Sequence, residues 1–243
     1  HVVQLSDWTD EDPMRVLAKL KVQSDYYNFN QPTAPQFFRD ASAHGMAAAV
    51  DRRRMWNQMR MNPTDLADVS AATLTYLMNG TTPAGNWTGL FRLGERVRLR
   101  FINGAANTFY DVRIPGLKLV VVQADGQDVE PVTVDEFRFG PGETYDVLVT
   151  PKDDAYTVFA QAMDRTGYAR GTLAVRADLS ASVPALDAPQ PLSMVDMMGA
   201  MGAMDGMGGM DHAAMPGMKG MDHGAMDHSA HMSAASPSTQ AFE

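Results

Sequence analysis

The run Arg96-Val97-Arg98-Leu99-Arg100-Phe101 constrains the fold more than any other stretch of this chain. Its apolar and charged residues alternate without a fault, so Val97, Leu99 and Phe101 share one face and the arginines the other. A period of two matches a pleated strand with one dry and one wet face, and it does not match a helix. Further runs of strand-forming residues occupy positions 2–6, 73–78, 109–114, 117–123, 132–139, 145–150, 156–163 and 171–176. Turn signals part them, at Asn79-Gly80, Pro115-Gly116, Asp125-Gly126, Pro141-Gly142 and Arg165-Thr166-Gly167. Short strands punctuated in this way predict an all-β Greek-key sandwich or barrel.

Residues 10–68 break that rhythm and read as a helical insertion near the N-terminus. Asp12-Pro13 has the form of an N-cap followed by proline at the first helical position, with Val16, Leu17 and Leu20 on one face behind it. Thr33 and Gln36 fit a capping box ahead of Phe37 and Phe38, and Gly45 is a natural stop. A third helix is expected over 47–61, ended by Asn62-Pro63. Met55 and Met59 lie four residues apart on it, beside Trp56 and Met61 and not far from Met46. The expected role of that stripe is a Met-rich core face, with a Cu(I)-handling face as the alternative. Arg52-Arg53-Arg54 reads as a solvated turn.

From Ala185 onward the strand pattern ends, with Pro184, Pro189 and Pro191 leading into a low-complexity tail. Residues 194–232 hold twelve of the nineteen Met and four of the six His, set among Gly, Ala and Asp. Met198, Met201, Met204, Met207 and Met210 recur every third residue. Met-Asp-His repeats follow, carrying His212, His223 and His228, with Met215, Met218, Met221, Met226, His231 and Met232 around them. Thioether sulfur is a soft, neutral ligand suited to Cu(I), and imidazole suits copper in either oxidation state. These fourteen residues are the candidate metal ligands. Two plainer readings compete. A helical Met stripe is opposed by Gly199, Gly202, Gly206, Gly208 and Gly209, each costing a helix about 1 kcal/mol relative to Ala. An inert linker would not concentrate a residue that is costly to leave in water and open to oxidation. A disordered copper-binding tail is the expectation.

A net charge of −9 argues against nucleic acid or an anionic membrane surface as a partner. Residues 194–243 carry five of those negative charges, from Asp196, Asp205, Asp211, Asp222, Asp227 and Glu243 against Lys219, which fits cation attraction. No 18-residue apolar run exists to span a membrane. The chain opens at His1 with neither an initiator Met nor a signal peptide, as expected of a fragment or a processed form. Cysteine is absent, which removes disulfides, thiolate zinc sites, cysteine nucleophiles and the thiolate of a blue-copper centre. Outside the tail only His1 and His44 remain, and no His-x-His pair exists. No nucleophile–base pair or phosphate loop stands out, so no catalytic residue is assigned. Asp125, Asp128 and Glu130 are explained by a hairpin at Asp125-Gly126. Asn79 and Asn86 match the glycosylation pattern, which is common by chance.

Several stretches resemble the second cupredoxin domain of three-domain multicopper oxidases: Leu77-Met78-Asn79-Gly80, the strand from Gly94 to Asn103, Val121-Val122-Gln123-Ala124-Asp125-Gly126, Pro131-Val132, and the run from Pro141 to Val147. Within that superfamily the chain is similar to the bacterial copper-resistance protein A (CopA/PcoA-type) family. The residues carrying this likeness are 2–13, 24–29, 63–69 and 163–171, together with the Met-Asp-His tail. The resemblance implies a cupredoxin-like β-sandwich over 1–184, the middle domain of the oxidase, and a Met/His-rich copper-binding tail or linker over 185–243. It implies a periplasmic enzyme that uses O₂ to oxidise Cu(I) or phenolic substrates. Its catalytic coppers would sit in flanking cupredoxin domains of the same polypeptide, and the middle domain would be copper-free. This chain alone would then show neither oxidase turnover nor intense blue absorption with Cu(II). The alternative is a stand-alone periplasmic copper-sequestering protein without redox turnover.

Overall fold

The computed structural model describes residues 1–193. The Met/His-rich tail expected to be disordered lies, from residue 194 on, outside the described residues.

Among the described residues, eleven strands form two packed sheets, which selects the sandwich over the barrel. One sheet has the order β2-β1-β4-β9-β6-β7, built from Thr75–Met78, Val2–Trp8, Val97–Asn103, Thr144–Val149, Leu119–Ala124 and Gln127–Val134. The other has the order β3-β11-β10-β5-β8, from Trp87–Leu90, Tyr168–Ala174, Ala155–Ala162, Tyr110–Arg113 and Glu136–Phe139. Pairing is antiparallel except for β1 with β4 and β3 with β11. The connections β4–β5, β5–β6, β7–β8, β8–β9 and β9–β10 each cross between the sheets, so the two layers fold as one unit.

The alternating run behaves as its period requires. Val97, Leu99 and Phe101 are buried, while Arg98 and Arg100 face out and hold Asp146 of the neighbouring strand. Opposite them, Tyr110, Val112, Val158, Ala160 and Leu173 are fully buried from the second sheet. Phe101, Phe137, Phe139 and Tyr145 pack together in this core in edge-on and tilted pairs 5.3–6.5 Å apart. The Asp125-Gly126 hairpin joins β6 to β7 with both residues at positive φ, 47° and 76°, as a two-residue primed turn demands.

Two expectations needed adjustment. The run 132–139 is split at Asp135 into the end of β7 and the start of β8, which lie in different sheets. β3 was missed because Trp87–Leu90 is a four-residue edge strand containing a glycine, too short to show a period.

The insertion leaves the sandwich after β1 and returns at β2, which are neighbours in one sheet; Trp8 and Thr75 are paired in register. It contains α1 (Pro13–Val22), α2 (Ala34–His44) and α3 (Met46–Gln58). The caps act as expected: Asp12 accepts from the Met14 N–H at 2.9 Å, and Thr33 accepts from the Gln36 N–H at 3.4 Å. Gly45, at φ 91°, ends α2 and starts α3. The helices lie on the outside of the sandwich. α1 and α2 bury no residue, and α3 buries only Ala49 and Trp56. Polar ties hold the insertion in place. The Glu11 carboxylate accepts from Lys19, from the Tyr27 hydroxyl at 2.7 Å and from the Thr73 hydroxyl at 3.3 Å. Ser70 donates to the Tyr27 carbonyl at 2.7 Å.

Candidate metal centre

The candidate ligands Met198, Met201, Met204, Met207, Met210, His212, Met215, Met218, Met221, His223, Met226, His228, His231 and Met232 all lie outside the described residues. What is described is the platform from which they leave. After β11 the chain does not drift off the domain. The Thr157 hydroxyl donates to the Ser182 carbonyl at 2.9 Å. Asp187 receives both guanidinium nitrogens of Arg113 at 2.9 and 3.1 Å, and its own N–H donates to Gln161 Oε1 at 3.1 Å. The Arg113 and Gln161 hydrogen bonds hold the Asp187 carboxyl below the usual carboxylate range. The Leu192 N–H then donates to the Pro63 carbonyl at 2.6 Å, immediately past α3. The tail is therefore rooted against the helical insertion.

Beside that root lies a cavity of about 180 Å³, lined by Asp65, Asp68, Met163, Asp164, Asn107 and Tyr76 among others. It joins the segment after α3 to the β10–β11 turn, where Thr166 hydrogen-bonds the Asp164 carboxylate through both its N–H and its hydroxyl. Burial, followed by the charges of Asp68, Asp25 and Asp164, pushes the Asp65 carboxyl up to about 6. Burial also raises Asp164, against the lowering effect of its bonds to Thr166. Sequence reasoning passed over this cluster because its acids lie about a hundred positions apart in the chain; the spacing holds no signal of the contact.

A raised carboxyl is a cost to the folded state once it ionises. That cost is fully present above pH 6 and disappears as pH falls toward the unfolded value of about 3.9. Asp65→Asn is therefore expected to stabilise the protein at pH 7–8, with the gain shrinking to nothing near pH 4. Urea midpoints of both proteins across that range check it; a gain that persists at pH 4 would contradict the electrostatic origin.

A second charged cluster sits deeper. Asp111, 2% exposed, is held by Arg138 at 2.7 and 2.9 Å and by Arg165 at 2.5 Å. Arg165 is itself 9% exposed, and its Nε has no hydrogen-bond partner. This network locks the β10–β11 turn onto β5.

Among the described residues the donors for a catalytic copper do not come together. The whole chain lacks the thiolate that a blue-copper centre needs. Among the described residues, no three His, Cys, Asp or Glu side chains come together in a way that could hold a metal ion. His1 is occupied structurally: its Nε2 lies 2.9 Å from the Leu90 carbonyl, and its ammonium donates to the Arg98 carbonyl at 2.7 Å. His44 is in the last turn of α2. The described residues thus do not fit a copper redox centre. No helix among them is long and apolar enough to cross a membrane.

A multicopper oxidase family model matches residues 1–177. Copper resistance protein A of Escherichia coli is 64% identical over 88% of this chain and 35% of its own length. Copper resistance protein A of Pseudomonas syringae pv. tomato is 63% identical over 82% of this chain and 32% of its own. The chain thus spans about a third of the length of these relatives. Among solved structures, the multicopper oxidase Fet3p, which functions in iron import, superposes with a TM-score of 0.47 at 16% identity, over 79% of this chain and 30% of its own. The laccase from Botrytis aclada gives 0.46 at 18% identity, over 79% and 31%.

Proposed function

The chain belongs to the multicopper oxidase family, and from that premise we propose that it is the copper-gathering, catalytically silent portion of a periplasmic copper-resistance oxidase. Residues 1–184 serve as the copper-free middle domain, and 185–243 as a linker whose root is tied to the sandwich. The type 1 and trinuclear coppers belong to flanking cupredoxin domains of the same polypeptide, where O₂-dependent oxidation of Cu(I) or phenolic substrates takes place. The tail gathers Cu(I), with Met supplying neutral sulfur and His completing three- or four-coordinate sites.

One observation carries this reading: the donors are segregated. Residues 1–193 hold two His and no Cys, whereas 194–232 hold twelve Met and four His. Anaerobic Cu(I) titration against a chromophoric chelator tests it. The full chain is expected to retain several equivalents that a chain ending at Ala188 does not. Equal retention by the two would end the proposal.

A further inference from the structure

β10 is buried on both faces, and the core accounts for only one of them. Val158, Ala160 and Ala162 belong to the core between the sheets. Thr157, Phe159 and Gln161 point the other way by the two-residue period of a strand, yet they are only 2%, 0% and 0% exposed. Part of their cover is the sheet's own: the Phe159 ring lies 5.1 Å from that of Tyr168 and 5.0 Å from the Arg113 guanidinium. Further cover comes from the chain after β11. The Thr157 hydroxyl donates to the Ser182 carbonyl. Gln161 exchanges two hydrogen bonds with Asp187, its amide donating to the carboxylate and its carbonyl oxygen accepting from the N–H. Residues 179–192 thus lie as a strap across the outer face of β10.

The strap is held differently from the sheet beneath it. No residue from Val175 to Ser193 is buried, whereas seven of the eight in β10 are. Its hold converges on Asp187, which takes both guanidinium nitrogens of Arg113 and both bonds of Gln161. Glu136 braces Arg113 from β8 at 2.7 Å, so the guanidinium stays in place with the strap up or down. Arg165 adds a weaker attraction for the Asp187 charge. Pro184, Pro189 and Pro191 fix their own φ and push the residues before them into extended backbone, which makes the strap stiff and pre-set to lie flat. A segment without buried apolar contacts opens at far lower cost than the core strands do.

We propose that residues 179–192 form a hinged strap with two positions, and that Asp187 is its clasp. Arg113 and Gln161 make a carboxylate receptor on the sheet, and Asp187 fills it in cis. Closed, the strap delivers the chain to Pro63, where the Leu192 N–H donates to the carbonyl. Released, it swings from Leu179, whose N–H bonds the Arg176 carbonyl at 3.3 Å. Residues 180–192 then give Leu192 a reach of about 45 Å. The clasp decides where on the domain the following chain begins, and it does so whatever that chain binds.

Amide exchange of the full chain, followed residue by residue by NMR, tests this at positions 187 and 192, whose N–H groups donate to Gln161 and Pro63. In D187A, protection at both is expected to fall together by about tenfold or more, while Val158 and Ala160 in β10 keep theirs. Loss at 187 alone would show independent contacts and overturn the strap. Loss extending into β10 would show that the segment opens only with the whole domain, and would overturn it equally. Distance supplies a second readout. The chain has no cysteine, so spin labels on the Gln58→Cys/Gln190→Cys variant, both exposed positions, report a single separation. The labelled parent is expected to give one narrow distribution, and D187A to add a longer, broader one. The Asp187 side chain is 44% exposed, so about 1 M NaCl should screen the ion pair and populate the longer distance in the parent as well. A distribution left unchanged by D187A overturns the proposal.

Discussion

Asp111→Ala is expected to destabilise the domain by about 3–5 kcal/mol, because removing one partner from a buried charge cluster leaves the others uncompensated. Arg165 is the residue left worst off. Only 9% exposed and already without a partner at Nε, it would keep a donor to the Ala162 carbonyl at 3.3 Å and lose its counter-ion. Arg138 can turn to water, since about half its side chain is exposed. Most of the cost should therefore fall on the β10–β11 turn, and amide exchange at residues 162–168 should accelerate more than elsewhere. Urea unfolding measures the total; a loss under 1 kcal/mol would show that water replaces the carboxylate. The pH dependence has a definite sign. Burial pushes the Asp111 carboxyl up, but the hydrogen bonds and charges of Arg138 and Arg165 together outweigh it, so the net shift is downward. The stabilisation is thus present above the unfolded value of about 3.9 and is lost as pH falls below it toward the folded one. Asp111→Asn should flatten the stability profile in that acid window.

The second large effect concerns the tail, where Met and His should separate by oxidation state. Replacing the twelve tail methionines with leucine keeps apolar bulk and removes every thioether. Cu(I) retention in a chelator competition is expected to collapse, while Cu(II) binding persists on His212, His223, His228 and His231. Replacing those four histidines with alanine should do the reverse. Acid sharpens the contrast: below an ordinary imidazole pKa of about 6.5 the histidines are protonated and lost as ligands, whereas thioethers do not titrate. At pH 5 the parent chain should hold Cu(I) and release Cu(II). If the leucine variant holds as much Cu(I) as the parent, sulfur is not the ligand.

Much of the scaffold was legible because its signals are local. Alternation from Arg96 to Phe101 fixes a face within six residues, and Asp12, Thr33 and Gly45 announce helix ends by their own chemistry. Several residues that carry the family likeness prove to be scaffold as well. Asn79, at φ 49°, accepts from the Gln4 N–H at 2.7 Å and donates to the Val2 carbonyl at 3.0 Å, pinning β1. Asn103, 1% exposed, donates to the Thr108 and Phe139 carbonyls at 2.9 and 3.1 Å. Glu143 accepts from the Gly140 N–H at 2.9 Å. The glycosylation-like Asn86 accepts from the Thr172 hydroxyl at 3.0 Å, which ties β3 to β11. Their pattern identifies a fold, not a reaction. What was not legible depends on tertiary assembly: the Asp65–Asp164 cavity, the Arg113–Asp187 tether, and the half-burial of Met55 and Met59 beside the buried Trp56. In each case the partners are set by how the insertion rests on the sandwich, and the local sequence has no record of it.

The in-register pairing of Trp8 with Thr75 gives the insertion the geometry of a cartridge in a socket. Its entry and exit are adjacent points on one sheet, so the strand pairing there depends on the two ends meeting and not on the path between them. Closing a longer or shorter excursion changes the entropic cost only logarithmically with length, about 0.6 kcal/mol per doubling. The sandwich can therefore keep its core while the helices between those two positions are exchanged, lengthened or re-surfaced. What the domain presents on that face is, in that sense, a replaceable part.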